Sequence, residues 1–471
     1  MTPPRDRAVL VGVQLHGVDP VDHAASLAEL ARLVHTLGYQ VVGEVSQRRD
    51  GLAPSVVLGE GKLRELAEWT AGSGVVEQGP RRVVTKARAK WEEENGPDED
   101  EPLPDGEEEP IEDDDGEPIP EEEVTRASRR ADLVVVDHDI SPSQARNLEL
   151  ATGVPVLDRT GVIVEIFHRH AQSREARLQV EIARLVYLVP RMRDSGGGER
   201  QRGGIGGKGA GESSLELDRR KVRDRIAQLR AELASIESEQ GTRRARRADQ
   251  LRVALVGYTN AGKSSLMRAL TGSEVYVADK LFATLDTTVR ALQPETVPRV
   301  LVSDTVGFIK KLPHDLVASF RSTLDEALEA SILLHIVDAS DPTFRAQHEV
   351  TRAVLAEIGA DEVPSRLVLN KIDRVDDAAR AALVEEYPEA LLLSAHDPAD
   401  VSRMRDWIVS WFERDMPEVE LFVPWARGAL VGEIHARVRV VKEDYEDDGV
   451  RFLVRGRKED VTRLQGMVAA E

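Results

Sequence analysis

The sequence of 471 residues contains no cysteine, which excludes disulfide bonds and thiolate zinc sites. It also has no run of 18 apolar residues, so no transmembrane helix is predicted. Residues 1–17 hold one short apolar run with no small-residue cleavage site after it, which argues against a signal peptide. These absences predict a cytoplasmic protein that does not insert into a membrane.

Basic residues are absent from one long segment. Residues 92–123 contain 19 Asp or Glu and no Lys or Arg, and without them the net charge of −21 would be close to zero. Their Pro, Gly, Glu and Asp composition cannot bury enough apolar surface to offset the entropy lost on ordering, so we predict a disordered surface loop. Two interpretations stay open: a solvated insertion without essential function, or an electrostatic guard that competes with RNA for a basic surface.

The length predicts two to four domains, and the first is expected in residues 1–168. There, buried strands alternate with helices, which is typical of a small α/β domain with a mostly parallel sheet. The predicted strands are residues 9–13, 41–45, 55–58, 133–136 and 154–157, and the predicted helices are residues 21–37, 59–69 and 143–150. The segment Gly59-Glu-Gly-Lys62 is too short to indicate a separate nucleotide or RNA activity, so a structural turn is favoured.

Residues 169–247 predict a helical hairpin with 19 Lys or Arg against 11 Asp or Glu. Apolar residues recur at intervals of four and three, as in an antiparallel coiled-coil pair. The two stripes are Leu178, Ile182, Leu185, Val189 and Met192, and Leu215, Val222, Ile226, Leu229, Leu233 and Ile236. The loop at residues 196–211 has nine Gly in 16 positions, interleaved with Arg200, Arg202 and Lys208. It is either a flexible linker or, as we favour, a tip that contacts RNA phosphates.

Residues 250–416 carry a phosphate-binding motif. A buried strand at residues 251–256 leads into Gly-Tyr-Thr-Asn-Ala-Gly-Lys-Ser at residues 257–264 and then into a helix. This is the Walker A pattern in the strand, loop and helix context that supports it. Backbone N–H groups are expected to surround the phosphates, with Lys263 on the β- and γ-phosphates and the Ser264 hydroxyl on Mg²⁺.

The sequence Asn370-Lys-Ile-Asp373 follows a strand and predicts recognition of guanine. The Asp373 carboxylate can accept two hydrogen bonds from the guanine N1–H and exocyclic amine, a donor pair that adenine lacks. Asn370 and Lys371 are expected to hold the loop and cover the base. Ser394-Ala-His396, after a further strand, fits the loop whose backbone N–H meets the guanine oxygen.

Two segments between these motifs have the character of nucleotide switches. Asp304-Thr-Val-Gly307 ends a strand, and we predict that Asp304 binds Mg²⁺ through water and that the Gly307 N–H senses the γ-phosphate. Upstream, Thr284 is the preferred direct Mg²⁺ ligand, with Thr287 and Thr288 as alternatives. These elements all follow strands of a parallel sheet, where an open α/β sheet binds ligands.

Lys263, Thr284 and Gly307 are the predicted catalytic residues, and a larger set is predicted to bind GTP or GDP. That set is Gly257, Tyr258, Thr259, Asn260, Ala261, Gly262, Lys263, Ser264, Ser265, Phe282, Ala283, Thr284, Leu285, Asp286, Asp304, Thr305, Val306, Gly307, Asn370, Lys371, Ile372, Asp373, Ser394, Ala395 and His396. Position 308, where many GTPases carry the Gln that orients the attacking water, is Phe. We therefore predict slow intrinsic hydrolysis that a partner accelerates.

Residues 418–471 predict a small α+β domain with strands at residues 420–423, 438–442 and 450–454 and helices at residues 427–436 and 459–465. The fold class is thus a multidomain α/β protein. It comprises an N-terminal α/β domain, an antiparallel helical hairpin, a P-loop GTPase domain and this C-terminal domain.

With these motifs identified, the chain resembles the HflX family of translational GTPases over most of its length. The segments that carry the resemblance are residues 58–62, 141–148, 156–160, 203–212, 282–286 and 304–324. It implies a GTPase that binds the large ribosomal subunit and its rRNA and splits stalled or idle ribosomes under stress. It also implies an N-terminal family domain, and a helical hairpin that reaches rRNA.

Two features depart from the family pattern. Residues 207–214 read Gly-Lys-Gly-Ala-Gly-Glu-Ser-Ser where the family usually continues Thr-Arg-Gly-Pro-Gly-Glu-Thr-Gln, and the acidic insertion is not a general family feature. Asn260 resembles the Asn of potassium-dependent GTPases, so stimulation by K⁺ is a hypothesis beside the Mg²⁺ requirement. A hibernation or assembly factor that stays on the ribosome, with GTP as a regulatory ligand, is the alternative function. The free protein is expected to be a monomer.

Overall fold

The structure is a computed structural model, and it describes residues 6–53, 55–76, 131–192, 214–245, 250–272, 281–282, 288–310 and 326–469. The predicted acidic loop (residues 92–123) and the Gly-rich loop (residues 196–211), with Arg200, Arg202 and Lys208, lie outside the described residues. So do the switch residues Ala283, Thr284, Leu285, Asp286 and Thr287.

The described residues form both α-helices and strands, with three consecutive helices between the N-terminal strands and those of the P-loop domain. The helices are α1 (Pro20–Thr36), α2 (Glu60–Thr70), α3 (Pro142–Thr152), α4 (Arg159–His170), α5 (Arg174–Leu188), α6 (Ser214–Ala245), α7 (Lys263–Thr271), α8 (Phe344–Glu357), α9 (Asp377–Glu386), α10 (Pro398–Glu413), α11 (Ala429–Arg437) and α12 (Lys458–Ala469). The strands are β1 (Arg7–Leu15), β2 (Gln40–Arg49), β3 (Leu133–Val136), β4 (Val156–Asp158), β5 (Leu251–Gly257), β6 (Thr288–Ala291), β7 (Val300–Asp304), β8 (Ile332–Asp338), β9 (Ser365–Asn370), β10 (Leu391–Leu392), β11 (Glu418–Pro424), β12 (Arg439–Tyr445) and β13 (Gly449–Arg455).

The N-terminal strands form a sheet in the order β2-β1-β3-β4, and β1 pairs in parallel with both β2 and β3. All four residues of β3 are buried, as expected of a parallel strand covered on both faces. The predicted α/β domain with a mostly parallel sheet is confirmed.

One predicted strand, residues 55–58, is wrong. The backbone there makes only an isolated bridge between Ala53 and Val57, and Val57 has a φ of +72°. Val56, Val57 and Leu58 are nonetheless buried in the core around this sheet. A short apolar run therefore fills the core from a turn, which hydrophobicity alone cannot distinguish from a strand.

Helices α5 and α6 form the predicted antiparallel pair. Arg174 lies 3.6 Å from Glu232 and Arg225 lies 3.0 Å from Glu181, so residue numbers rise along one helix as they fall along the other. The seam contains Leu178, Ile182, Leu185, Val186, Val189, Val222, Ile226, Leu229, Leu233 and Ile236. Helix α5 ends before the predicted stripe does, because Pro190 has no N–H for the helix and sits in a 3₁₀ turn.

Asp158, at the end of β4, fixes the end of α5. Its carboxylate accepts hydrogen bonds from the Tyr187 hydroxyl at 2.9 Å and from Arg191 at 2.6 Å, and it also caps α4 at Gly161. The Arg191 guanidinium in turn stacks on the Tyr187 ring at 3.8 Å. This buried carboxylate therefore holds one end of the hairpin on the neighbouring helix.

The central sheet has the order β10-β9-β8-β5-β7-β6. Only β6 runs antiparallel to its neighbour among the pairings described, and the other strands are parallel. Apolar clusters cover both faces, one with α7 and α10 and the other with α8. The predicted P-loop domain is confirmed, and its motifs follow the carboxyl ends of β5, β7 and β9.

The C-terminal sheet has the order β11-β13-β12, with both pairings antiparallel. Its buried face packs against α11 and α12 through Ile434, Val461 and Leu464. The predicted α+β domain is confirmed, although α11 begins two residues later than predicted, after a 3₁₀ turn.

The contacts divide the chain into two compact units, one of Met1–Val18 and Gln40–Val156 and the other of Asp19–Tyr39 and Leu157–Glu471. Helix α1 therefore belongs with the unit that holds the central sheet, although its neighbours in sequence belong to the other unit. Among the described helices, none has the length and apolar character that crossing a bilayer requires.

Candidate functional site

The Walker A segment forms a loop between β5 and α7 that only glycine permits at two positions. A Cβ on Gly257 would lie 2.1 Å from the Ile336 carbonyl oxygen. Gly262 has a φ of +98°, and a Cβ there would lie 2.2 Å from Asn370 Nδ2. The motif is thus required for the backbone to pass close to β8 and to the Asn370 loop.

Lys263 begins α7 with its ammonium group buried under the loop. The Nζ atom donates hydrogen bonds to the carbonyl oxygens of Gly257 at 3.1 Å and Tyr258 at 3.0 Å. Burial lowers the pKa of Lys263 to about 8, although the nearby Asp304 carboxylate acts to raise it. The predicted phosphate-binding cation is therefore held by backbone oxygens at the centre of the loop.

Ser264 and Asp304, the predicted Mg²⁺-binding residues of these two motifs, are direct neighbours. The Ser264 hydroxyl donates to Asp304 Oδ2 at 2.6 Å. A hydroxyl and a carboxylate are hard oxygen ligands of the kind that Mg²⁺ prefers, so this donor set fits the ion. Thr288, an alternative to Thr284, lies opposite Asp304 in the β6–β7 ladder.

The D-x-x-G segment is linked to the Walker A loop by two backbone hydrogen bonds. Phe308 N–H donates to Gly257 at 3.1 Å, and Thr259 N–H donates to the Phe308 carbonyl oxygen at 2.8 Å. A Cβ on Gly307 would lie 2.9 Å from Thr259 Cα and 3.0 Å from Lys263 Nζ. Gly307 thus lies against the predicted phosphate site, and a side chain there would meet both the loop and the lysine.

The residue after Gly307 faces away from this site. Phe308 is 2% exposed and belongs to the apolar cluster that includes Ala254, Val256 and Leu333. Beside it, Val306 is buried and the buried Thr305 hydroxyl donates to Leu255 at 2.8 Å. A core residue therefore occupies the position where many GTPases carry a water-orienting Gln.

Asn370 connects the predicted guanine loops to the Walker A loop. Its Nδ2 donates to the Ala261 carbonyl oxygen at 2.8 Å, and its Oδ1 accepts from Ala395 N–H at 3.0 Å. Lys371 Nζ donates to the Asn260 carbonyl oxygen at 2.7 Å and lies 2.8 Å from Asp338. These bonds hold the Asn370, Walker A and Ser394 loops together.

Asp373, the predicted guanine acceptor, is exposed at the end of this group. A hydrogen bond from the Ser394 side chain lowers the pKa of the Asp373 carboxyl, so the group is ionised at neutral pH. The Ser394 N–H in turn donates to Asp400 at 2.8 Å, and His396 N–H donates to the Ser394 hydroxyl at 3.3 Å. Asp338 and Asp400 were not identified from the sequence, because isolated carboxylates carry no motif.

Three further residues of the predicted set lie beside these loops. Ser265 follows Ser264 on α7, and Ile372 is buried with its N–H donating to Leu393 at 3.3 Å. Phe282 is buried, with its ring centroid 4.5 Å from that of Phe167. The rest of the predicted switch, from Ala283 through Asp286, lies outside the described residues.

Tyr258 makes contacts that sequence analysis missed. Its hydroxyl donates to Glu29 on α1 at 2.6 Å and accepts from the Lys310 N–H at 2.6 Å. Glu29 also pairs with the buried Arg159. Burial, reinforced by the Glu29 carboxylate, raises the pKa of Tyr258. A tyrosine at the second Walker A position was a visible signal, but its partner on a distant helix was not.

Comparison with known proteins agrees with this geometry. Family profiles described as GTP-binding GTPase N-terminal, GTP-binding GTPase Middle Region and 50S ribosome-binding GTPase match residues 24–78 and 121–168, 170–247, and 252–371 respectively. GTPase HflX of Gluconacetobacter diazotrophicus is 59% identical over 470 residues, 99% of each chain. GTPase HflX of Caldanaerobacter subterraneus subsp. tengcongensis is 34% identical over 95% of this chain and 90% of its own length.

The corresponding protein of Escherichia coli, also GTPase HflX, is 43% identical over 68% of this chain and 76% of its own length. The 59% identity to the Gluconacetobacter diazotrophicus protein over nearly the whole chain, together with the P-loop domain, identifies a GTPase that binds GTP and GDP. The chain belongs to the HflX family of GTPases.

Proposed function

We propose that this GTPase binds the large ribosomal subunit and, when GTP is bound, splits stalled or idle ribosomes into subunits under stress. The observation that carries the proposal is the paired helical arm, whose second helix, α6, spans 32 residues. Exposed basic residues along it include Arg220, Lys221, Arg223, Arg225 and Arg230. Such a surface favours contact with RNA phosphates. The profile description of a 50S ribosome-binding GTPase supports the same partner.

The arm ends in the Gly-rich loop, residues 196–211, with Arg200, Arg202 and Lys208 in its sequence. We infer that this loop contacts rRNA, because glycines allow close approach and the basic residues pair with phosphates. The Asp158 contacts with Tyr187 and Arg191 lie at the end of α5 that this loop follows, so they would hold the base of the loop on the rest of the unit. The acidic segment, residues 92–123, would oppose the same RNA contact.

In the proposed site, Lys263 binds the β- and γ-phosphates and Asp373 reads guanine. Ser264 and Thr284 would hold Mg²⁺ directly and Asp304 through water, and the ion would neutralise charge on the transferred phosphoryl group. Bound GTP would order the switch segments through Thr284 and Gly307, which favours the ribosome-bound state, and hydrolysis would release them. The proposal also includes a K⁺ ion near Asn260. Without a partner, hydrolysis would be slow, and the ribosome would accelerate it. The protein that is not bound to a ribosome would be a cytoplasmic monomer.

Density-gradient sedimentation tests the proposal. Intact ribosomes are mixed with the protein and a non-hydrolysable GTP analogue, with GDP as the control nucleotide. Growth of the subunit peaks with the analogue and not with GDP is expected. Co-migration with intact ribosomes would instead indicate the hibernation or assembly function.

A deletion variant identifies the element responsible. Removal of residues 196–211 is expected to abolish splitting while GTP affinity stays unchanged, because the loop lies outside the nucleotide motifs. Unchanged splitting by this variant would remove the Gly-rich loop from the mechanism. The matched control shortens the acidic segment, residues 92–123, which is expected to leave splitting intact or to strengthen it.

A further inference from the structure

Helix α1 is anchored on the Walker A loop and on the segment after Gly307. Glu29 accepts from the Tyr258 hydroxyl at 2.6 Å and pairs with Arg159, while Asp22 lies 3.8 Å from Lys310 Nζ. Asp22 and Glu29 are seven residues apart and so share one face of the helix. A fixed face of α1 therefore lies beside the proposed phosphate site.

Arg32 lies on that face, three residues after Glu29. Its side chain is exposed and lines a cleft together with Thr259 and Asn260, the third and fourth residues of the Walker A loop. The Arg32 guanidinium makes no hydrogen bond or ion pair with any other described residue, and its positive charge acts to lower the pKa of Asp341. It is thus a cation held near the phosphate loop without a fixed partner.

The carboxylates that line the same cleft are already engaged. Glu29 is bound by Tyr258, and Asp338 is bound by Lys371 at 2.8 Å. Asp341 accepts from the Thr343 N–H at 2.8 Å and from Gln347 at 2.9 Å. These partners reduce the pull of the acidic groups on Arg32, so an incoming polyanion can compete for its guanidinium.

The same cleft is also lined by a polar side chain of the Walker A loop, Thr259. The buried Thr259 hydroxyl has no hydrogen-bond partner among the described residues. Thr259 and Asn260 lie in the part of the Walker A loop that surrounds the β- and γ-phosphates in P-loop proteins. The cleft therefore places a free guanidinium beside the position where the transferred phosphoryl group would lie.

We propose that Arg32 is a catalytic residue that contacts the γ-phosphoryl oxygens of bound GTP and stabilises their charge in the transition state. The inference rests on the proposed placement of the phosphates on residues 257–264. In the reaction, a bond forms between the water oxygen and the γ-phosphorus, and the bond from that phosphorus to the β–γ bridging oxygen breaks. The proton of the water passes to phosphate or solvent, and Arg32 transfers none. The arginine is supplied by the same chain, as in GTPases that carry one in cis.

The contribution of Arg32 differs from that of the Gln absent at position 308. An arginine stabilises charge on the phosphoryl oxygens, whereas the Gln orients the attacking water. An enzyme with the first group alone is expected to hydrolyse GTP slowly but faster than one with neither. Arg32 is therefore compatible with the slow hydrolysis inferred from Phe308.

The test uses the full chain without ribosomes and compares Arg32→Ala with Arg268→Ala. Arg268 is an exposed arginine on α7 that does not line the cleft. Single-turnover hydrolysis is expected to fall at least about 30-fold in Arg32→Ala and to stay within twofold in Arg268→Ala. Arg32→Lys is expected to recover only part of the rate, because an ammonium cannot contact two oxygens in the geometry of guanidinium.

Binding measurements separate a catalytic role from a structural one. GTP and GDP affinities of Arg32→Ala are expected to stay within threefold, while affinity for GDP with aluminium fluoride, which mimics the transferred phosphoryl group, falls at least about tenfold. An unchanged rate and an intact aluminium fluoride complex would overturn the proposal. Equal losses in hydrolysis rate and in GTP affinity in Arg32→Ala would also overturn it. So would a hydrolysis rate that depends on K⁺ rather than Na⁺ and is unchanged in Arg32→Ala. Retained GTP affinity in Lys263→Ala would instead overturn the phosphate site itself.

Discussion

The guanine end of the nucleotide site and its γ-phosphate end depend on different parts of the chain. At the guanine end, Asn370 bonds to the Walker A loop and to Ala395, Lys371 bonds to the Walker A loop, and these described partners all belong to the P-loop domain. At the γ-phosphate end, the Walker A loop is bound by Glu29 of α1, which precedes that domain by more than 200 residues. Also at the γ-phosphate end, the residue after Gly307 is Phe308, which is buried in the core.

Because the two ends take their contacts from different segments, we expect nucleotide binding and hydrolysis to be separable properties of the molecule. In the proposed site, recognition of guanine needs only groups that the P-loop domain holds in place. Hydrolysis needs charge stabilisation and an oriented water, and the described γ-phosphate end takes contacts from another segment and has no Gln at position 308.

Changing Asp373 tests whether the guanine end depends on a single carboxylate. Asp373→Asn reverses one hydrogen-bonding group, so the preference for GTP over xanthosine triphosphate is expected to fall by about 10⁴. Competition binding with the two nucleotides measures the ratio. The matched control is Asp376→Asn, which changes an exposed N-cap three residues away and leaves a good cap in place. An unchanged ratio in Asp373→Asn would show that this residue does not read the base.

Changing Phe308 tests whether the γ-phosphate end lacks only one side chain. Because Phe308 packs in the core, Phe308→Ala is expected to lower the free energy of unfolding by about 3–5 kcal/mol in urea titrations. Phe308→Gln is expected to destabilise as well, and to leave partner-free hydrolysis within about threefold of the starting rate, because the side chain faces away from the nucleotide. Phe308→Leu serves as the apolar control. A tenfold acceleration in Phe308→Gln would mean that position 308 reaches the attacking water.

Removing the Tyr258 hydroxyl tests the link between α1 and the Walker A loop. Tyr258→Phe leaves the buried Glu29 with one partner fewer and the Lys310 N–H without its acceptor. The free energy of unfolding is expected to fall by about 1–3 kcal/mol. Tyr445→Phe is the matched control, since its hydroxyl bonds to Glu443 at the surface and should contribute less than about 0.5 kcal/mol. Equal effects of the two changes would mean that the Glu29 contact is not a significant link.

Proton uptake on nucleotide binding tests the protonation state of Lys263 in the Walker A loop. Because the pKa of Lys263 is lowered to about 8 in the free protein, its side chain is mostly the neutral amine at pH 9. Bound phosphates would favour the charged ammonium form. GDP binding is therefore expected to take up close to one proton at pH 9 and far less at pH 7. Calorimetry in buffers of different ionisation enthalpy measures this, and the always-charged Lys263→Arg should show no uptake. Uptake near zero in the unchanged protein at pH 9 would contradict the lowered pKa.

The lowered pKa of Lys263 also makes the free energy of unfolding depend on pH. Between about pH 8 and the ordinary lysine value of 10.5, the unfolded chain binds more protons at this residue than the folded one. The free energy of unfolding contributed by Lys263 therefore rises with pH through that window. Below pH 8 the full cost of burying the charged ammonium remains.

Contiguous motifs made the strand and loop positions at the proposed guanine end predictable from the sequence. Asn370, Lys371 and Asp373 are nearly adjacent, and each lies where a strand followed by a loop places it. The Walker A glycines were equally predictable, because a strand and a helix on either side define the turn. Local chemistry was enough wherever the chain itself brings the groups together.

The γ-phosphate end was less predictable because its contacts join distant segments. No periodicity or motif could show that Glu29 on α1 meets Tyr258, or that Arg32 lines the same cleft as Asn260. The apolar run at residues 55–58 failed as a strand prediction for a related reason. Burial was correctly indicated, but the left-handed backbone at Val57 is set by tertiary packing.

Single-turnover GTP hydrolysis with and without purified large ribosomal subunits tests whether nucleotide binding and hydrolysis are separate. The separation of binding from hydrolysis predicts tight GTP binding alone, a rate of about 10⁻² s⁻¹ or less, and at least about a 100-fold increase when subunits are added. A partner-free rate on the order of 1 s⁻¹ that subunits leave unchanged would contradict it.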